Sequence, residues 1–228
     1  MLTIDELKSK SAARLGGLHP VLLAAANVLI QRCYAKGIPI VITQGMRTIA
    51  EQDALYAQGR TKKGSIVTNA RGGSSYHNYG LAMDFALLLP DGQNVSWDMN
   101  RDGNGDKLAD WQEVVQEATK LGLEWGGDWT SFKDYSHLQM TFGLTIAQLK
   151  EGQRPTAQQV KETLSRITGG EAEVNKDVEI TINLNGIKLT VGVLDNGTTY
   201  VPVRALAEAL GAKVSYDPAS KTVNVVTV

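Results

Sequence analysis

The stretch Ser75-Tyr76-His77-Asn78-Tyr79-Gly80-Leu81-Ala82-Met83-Asp84 constrains this chain more than any other. It follows Gly72-Gly73-Ser74, a run that cannot be helix interior. It leads into Phe85-Ala86-Leu87-Leu88-Leu89, an apolar run that reads as a buried strand. Asp84 therefore stands at the mouth of that strand. A carboxylate is costly to bury without a partner, and a metal ion is one such partner. His77, one of three histidines in the chain, lies seven residues before it.

A second stretch completes the pattern. Asp134-Tyr135-Ser136-His137 precedes Leu138-Gln139-Met140-Thr141-Phe142, an alternating run that also reads as a strand. If the two strands are neighbours, His77, Asp84 and His137 converge. Two imidazoles and one carboxylate are a common zinc set that leaves the fourth position to water. Asp134 would then lie one short turn from a ligand, placed to take the proton of that water. Spacing alone leaves a second reading open, in which these are surface pairs or hydrogen-bonded core histidines.

The pattern Ser75-x-His77-x-x-Gly80-x-Ala82-x-Asp84, with Trp125-Gly126-Gly127-Asp128-Trp129 and Asp134-x-x-His137 after it, resembles the zinc D-Ala-D-Ala carboxypeptidase family. The branch it looks most like is that of the L-alanoyl-D-glutamate endopeptidases found among phage endolysins and bacterial wall hydrolases. The likeness covers roughly residues 1–150. It implies an α+β fold, a small antiparallel sheet with flanking helices of the Hedgehog/D-Ala-D-Ala peptidase kind. It implies Zn²⁺ on His77, Asp84 and His137, with Asp134 as general base. Arg47, in Gln44-Gly45-Met46-Arg47-Thr48, matches the family's arginine for the polarised carbonyl oxygen, although Gln44 stands where the family often has serine. Ser75 of the motif, Trp125 and Trp129 are the residues expected to meet substrate; the alternative for the two tryptophans, equally good for Trp125, is that they are core aromatics. The substrate implied is the peptidoglycan stem peptide, cut between L-Ala and D-Glu. Two rival readings remain: a carboxypeptidase acting on D-Ala-D-Ala ends, and a non-catalytic, zinc-stabilised wall-binding module.

The rest of the chain sets limits. With 228 residues and a net charge of −1, one or two domains are expected and nothing argues for nucleic acid. The single cysteine, Cys33, rules out an internal disulfide. No apolar run reaches the roughly 18 residues of a membrane span. Met1-Leu2-Thr3-Ile4-Asp5-Glu6 has neither the basic nor the apolar region of a signal peptide. The expectation is cytoplasmic synthesis, with release to the wall through a holin-type lesion.

Capping boxes at Thr3-x-x-Glu6 and Thr48-x-x-Glu51 predict helix starts, and His19-Pro20 opens another helix. Asp98-x-Asn100-x-Asp102-Gly103-Asn104-Gly105-Asp106 resembles the first half of a calcium loop, but Ala109 holds the place of the twelfth-position glutamate. An Asx-rich turn is the alternative. The basic run with Arg60, Lys62, Lys63 and Arg71 is either a contact for the wall peptide's carboxylates or a solvated loop. Residues 1–150 are expected to form the peptidase domain and 151–176 a linker that includes a weak amphipathic helix.

From 177 to 228 the composition shifts to alternating strands around Asn185-Gly186, a type I′ hairpin signal, and a helix that begins at Pro202. This hairpin–helix–hairpin pattern resembles the small stalk-type domain at the N-terminus of copper amine oxidases. It has no histidine or cysteine, so no copper site follows. A second α+β domain is expected there, binding a cell-wall polymer or pairing with another copy. At about 50 residues its core is small, and pairing would help to stabilise it.

Overall fold

Thr3, Thr48 and Thr145 each stand three residues before a glutamate or glutamine, and each closes a capping box. These caps start helices α1 (Ile4–Leu15), α3 (Ile49–Ala57) and α5 (Ile146–Lys150). Helix α2 (Pro20–Ala35) has Pro20 in its first turn, and the Nδ1 of His19 accepts from the N–H of Val21. His19 is thus a helix cap. Its ring lies 5.3 Å from that of Phe142.

The computed structural model describes residues 2–168, 178–184, 187–195, 198–217 and 222–227. The chain divides into two units, Met1–Gly170 and Glu171–Val228. In the first, an antiparallel sheet runs in the order β1 (Ile40–Gln44), β2 (Ala82–Leu88), β5 (His137–Gln139), β4 (Glu124–Trp125), and β3 (Val95–Ser96) pairs with β2. Helices α1, α2 and α4 (Asp110–Lys120) pack with it into an α+β domain.

Strand side chains alternate between faces. Met83, Phe85 and Leu87 of β2 and Leu138 of β5 enter the core with Leu22, Leu29 and Trp111. Asp84, His137 and Gln139 are therefore delivered to the opposite face. The expected strand at Phe85–Leu89 begins earlier than its apolar run, at Ala82, so Asp84 lies inside the strand rather than at its mouth. Phe85 is fully buried, with its ring 4.6 Å from that of Trp111. Phe85→Ala is expected to cost about 3–5 kcal/mol of stability, read as a lowered urea midpoint. Cys33 lies in the same core; burial pushes its thiol pKa up to about 12, which leaves it an inert apolar residue.

The stretch expected as a linker contains α6 (Ala157–Thr168). Val160, Leu164 and Ile167 of this helix rest on the core of the first unit, against α2, so its amphipathic stripe has a partner. The carboxylates of the Asp98–Asp106 loop accept from local backbone N–H groups: Asp98 from Asn100, Asp102 from Gly105 and Lys107, Asp106 from Leu108. These are Asx turns, the alternative the spacing allowed. Arg60 of the basic run lies over the Tyr56 ring and donates to Thr68 O and Asn69 Oδ1.

In the second unit, β6 (Val178–Leu184), β7 (Ile187–Asp195) and β8 (Thr198–Tyr200) form an antiparallel sheet. Helix α7 (Val203–Ala209) and a hairpin of β9 (Lys213–Asp217) and β10 (Thr222–Val226) follow. The Asn185-Gly186 turn lies outside the described residues. No helix among the described residues is long and apolar enough to cross a membrane.

Candidate metal centre

His137 of β5 is the cross-strand partner of Asp84 of β2. Cross-strand partners on one sheet face lie within about 5.5 Å at Cβ, so this register alone brings the two side chains together. His77 arrives from a single 3-10 turn, Tyr76–Tyr79. Ser75 caps that turn: its Oγ accepts from the His77 N–H, while Asn78 Oδ1 accepts from the N–H groups of Ser75 and Gly73. Gly80 ends it at φ +66°, where a Cβ would stand 2.5 Å from Gly17 O, so only glycine fits.

The three side chains meet through His77 Nε2, Asp84 Oδ1 and His137 Nδ1. The histidine nitrogens are 3.1 Å apart, and each is 3.3 Å from Asp84 Oδ1. Their other ring nitrogens fix the tautomers. His77 Nδ1 is 2.8 Å from Gly45 O, an acceptor, and must carry the proton. His137 Nε2 is 3.0 Å from Gln139 Oε1 and carries its proton too. What remains is two imidazole lone pairs and a carboxylate oxygen, all pointing at one another. Asp84 Oδ1 is buried with no hydrogen-bond donor. Three acceptors at this spacing repel unless a cation stands between them, and a metal ion fits that requirement.

Electrostatics agree. Burial alone would raise the Asp84 carboxyl, but His77 and His137 outweigh it and hold the group well below the usual carboxylate range. Burial disfavours charge on His137, but the Asp84 carboxylate reverses this and raises its pKa. A proton on His137 thus competes directly with a metal for the same lone pair.

Around this centre lies an open cleft of about 760 Å³, lined among others by Arg47, Ser75, Trp129, Phe132, Asp134 and Asn69. Arg47 follows β1, its N–H donating to His77 O. Its Nη2 donates to Asp84 Oδ2 at 3.0 Å and its Nη1 to Gln52 Oε1 at 2.9 Å. The guanidinium thus turns Asp84 so that Oδ1 faces the histidines. Its Nε is buried without a partner.

Asp134 borders the cleft with Oδ1 accepting from Ser136 Oγ at 2.9 Å. The turn to His137 is closed by the His137 N–H on Asp134 O and by the Asp134 N–H on Gly126 O.

The two tryptophans separate. Trp129 lines the cleft, its ring 5.0 Å from that of His137. Trp125 does not: its indole N–H donates to Tyr135 O, and its ring lies where a Cβ on Gly127 would stand. The paired glycines accordingly make room for the protein itself. A Cβ on Gly126 would meet Asp134 O at 2.5 Å.

Two residues behind the centre carry no motif. Gln52 is fully buried on α3; it accepts from Arg47 and donates to Ala70 O and Thr68 Oγ1. Gln139 is buried beside His137. A buried amide two residues after a candidate ligand on a strand shares its face, and that spacing is the one signal by which sequence could have marked Gln139.

A family model described as D-alanyl-D-alanine carboxypeptidase matches residues 68–140. A second, described as copper amine oxidase N-terminal domain, matches residues 181–227. The chain is 59% identical over 123 residues to the peptidoglycan L-alanyl-D-glutamate endopeptidase CwlK of Bacillus subtilis, covering 54% of this chain and 73% of that protein. It is 28% identical over 221 residues to the L-alanyl-D-glutamate peptidase of Listeria phage A118, covering 93% of this chain and 72% of that one. Among solved structures, the L-Ala D-Glu endopeptidase ChiX of Serratia marcescens matches 59% of this chain and 88% of its own, at 26% identity and a TM-score of 0.41.

Proposed function

Because the chain belongs to the D-alanyl-D-alanine carboxypeptidase family of peptidases, we propose that it is a zinc-dependent L-alanyl-D-glutamate endopeptidase acting on the stem peptide of peptidoglycan. The observation that carries this reading is the convergence of His77 Nε2, Asp84 Oδ1 and His137 Nδ1 in one cleft that a further carboxylate, Asp134, also lines. The relatives that share the sequence are named for this bond.

His77, Asp84 and His137 would hold the zinc. When bound there, zinc polarises a carbonyl and lowers the pKa of a water to about 7. Asp134 takes the proton of the attacking water and returns it to the leaving amine of D-Glu. Arg47 fixes Asp84 through Oδ2 and places a preorganised positive charge at the cleft wall, where the oxyanion develops. Trp129 and Ser75 flank the peptide's path, and Ser75 also supports His77 through the turn it caps.

The cleft favours an endopeptidase over a D-Ala-D-Ala carboxypeptidase. An exopeptidase needs a cation to fix the free terminal carboxylate. Among the described residues of the cleft lining Arg47 is the one lysine or arginine, and it is already engaged with Asp84 and the oxyanion. The non-catalytic module fits less well, since holding zinc for structure alone uses neither Asp134 nor Arg47. The bond lies in the cell wall, which is therefore the place of action, reached by the holin-type route of a phage endolysin. The C-terminal unit, matched to the copper amine oxidase N-terminal domain, is read as a wall-polymer or self-association module.

Chelation tests the zinc reading. Removing metal is expected to abolish release of fragments from peptidoglycan, and stoichiometric zinc to restore it. Zinc affinity is expected to fall as pH drops through the raised pKa of His137, because the folded metal-free site there holds a proton that zinc must displace. Chelator competition at stepped pH reads this. Full activity in the metal-free protein would end the zinc reading.

A further inference from the structure

His137 offers Nδ1 only while its proton sits on Nε2. His77 has its tautomer set by backbone, since its Nδ1–H donates to Gly45 O. His137 has no such backbone acceptor. The acceptor is Gln139 Oε1, at 3.0 Å.

An amide has two ends, one accepting and one donating. If Gln139 turned its NH₂ toward His137, the proton would move to Nδ1 and the lone pair needed at the centre would be lost. The group that prevents this is Glu124. Strand pairing sets Glu124 directly opposite Gln139. Gln139 Nε2 donates to Glu124 Oε2 at 2.8 Å, and Thr141 Oγ1 donates to Glu124 Oε1 at 2.6 Å. An ionised carboxylate only accepts, so it claims the NH₂ end of Gln139 and leaves the carbonyl end for His137. The order runs one way, from carboxylate to amide to imidazole N–H to imidazole lone pair.

We propose that Glu124 is a positioning residue that, through Gln139, sets the tautomer of His137 and with it the affinity of the centre for its metal. The inference rests on the zinc reading above. Glu124 is exposed and outside the cleft lining, so it acts without touching substrate. Gln139 is the direct partner of the ligating histidine, and loss of such a partner's correct orientation costs about 10–100-fold in metal affinity.

Two variants of the full chain test this: Glu124→Gln, and the exchange Glu124→Gln with Gln139→Glu. Glu124→Gln keeps shape but adds a donor, so the Gln139 amide is free to turn. It is expected to weaken zinc binding by about 10–100-fold by chelator competition. Long-range ¹H–¹⁵N spectra of the metal-free protein are expected to show His137 as a mixture of tautomers, with His77 unchanged. The exchange puts an acceptor back on His137 Nε2–H and a donor behind it, and is expected to recover the single tautomer and the zinc affinity. Wild-type affinity and a wild-type His137 spectrum in Glu124→Gln would overturn the proposal. So would a weakened Glu124→Gln that the exchange does not rescue, which marks a structural role. A wild type that binds no zinc would instead sink the zinc reading, while the tautomer comparison in the metal-free proteins still decides the relay.

Discussion

Asp134→Ala is expected to lower the rate of stem-peptide cleavage by about 10²–10⁴-fold while zinc content stays at one per chain. Asp134 is not one of the three converging groups, so its loss leaves the zinc set intact. What disappears is the carboxylate that moves the water proton to the leaving amine. Its side chain accepts from Ser136 Oγ at a half-buried position, so truncation removes little packing. The thermal midpoint should therefore move little. A rate loss with zinc loss would instead place Asp134 in the support of His137, through the turn it shares with that ligand.

The second large effect belongs to His77. His77→Ala is expected to abolish zinc retention after dialysis and to reduce cleavage to background. Two groups, Asp84 and His137, then remain, fewer than the three protein ligands of a catalytic zinc site. The change also leaves Gly45 O without its donor, a cost of about 1–3 kcal/mol for a buried acceptor. His77→Ala should thus be moderately less stable, whereas Asp134→Ala should not. Metal analysis and thermal denaturation on the two proteins side by side separate ligand from base.

The centre was readable because its ligands stand at breaks in periodicity. His77 sits behind Gly72-Gly73, and Asp84 is one charge in an apolar strand. His137 opens an alternating run. The helix starts were legible for the same local reason, a threonine three residues from an acceptor. The second layer was not legible. Gln139 meets Glu124 only because β4 pairs β5 in one register, and Gln52 on α3 meets Arg47 only through the fold of the turn after β1. Neither fact is local in sequence. Trp125 and Trp129 look alike in the chain, and tertiary packing sends one into the Gly127 contact and the other to the cleft. The acidic loop shows the opposite hazard. Its Asp and Asn spacing suits both an ion and a series of Asx turns, and the backbone N–H bonds its carboxylates accept belong to either.

The most direct test of the account is to digest purified peptidoglycan with the zinc-loaded chain and label the amino groups that appear. New amino groups on D-Glu, matched by free carboxyl groups on L-Ala, are the predicted result. Free D-Ala, with D-Glu still blocked, would contradict it and move the assignment to the carboxypeptidase.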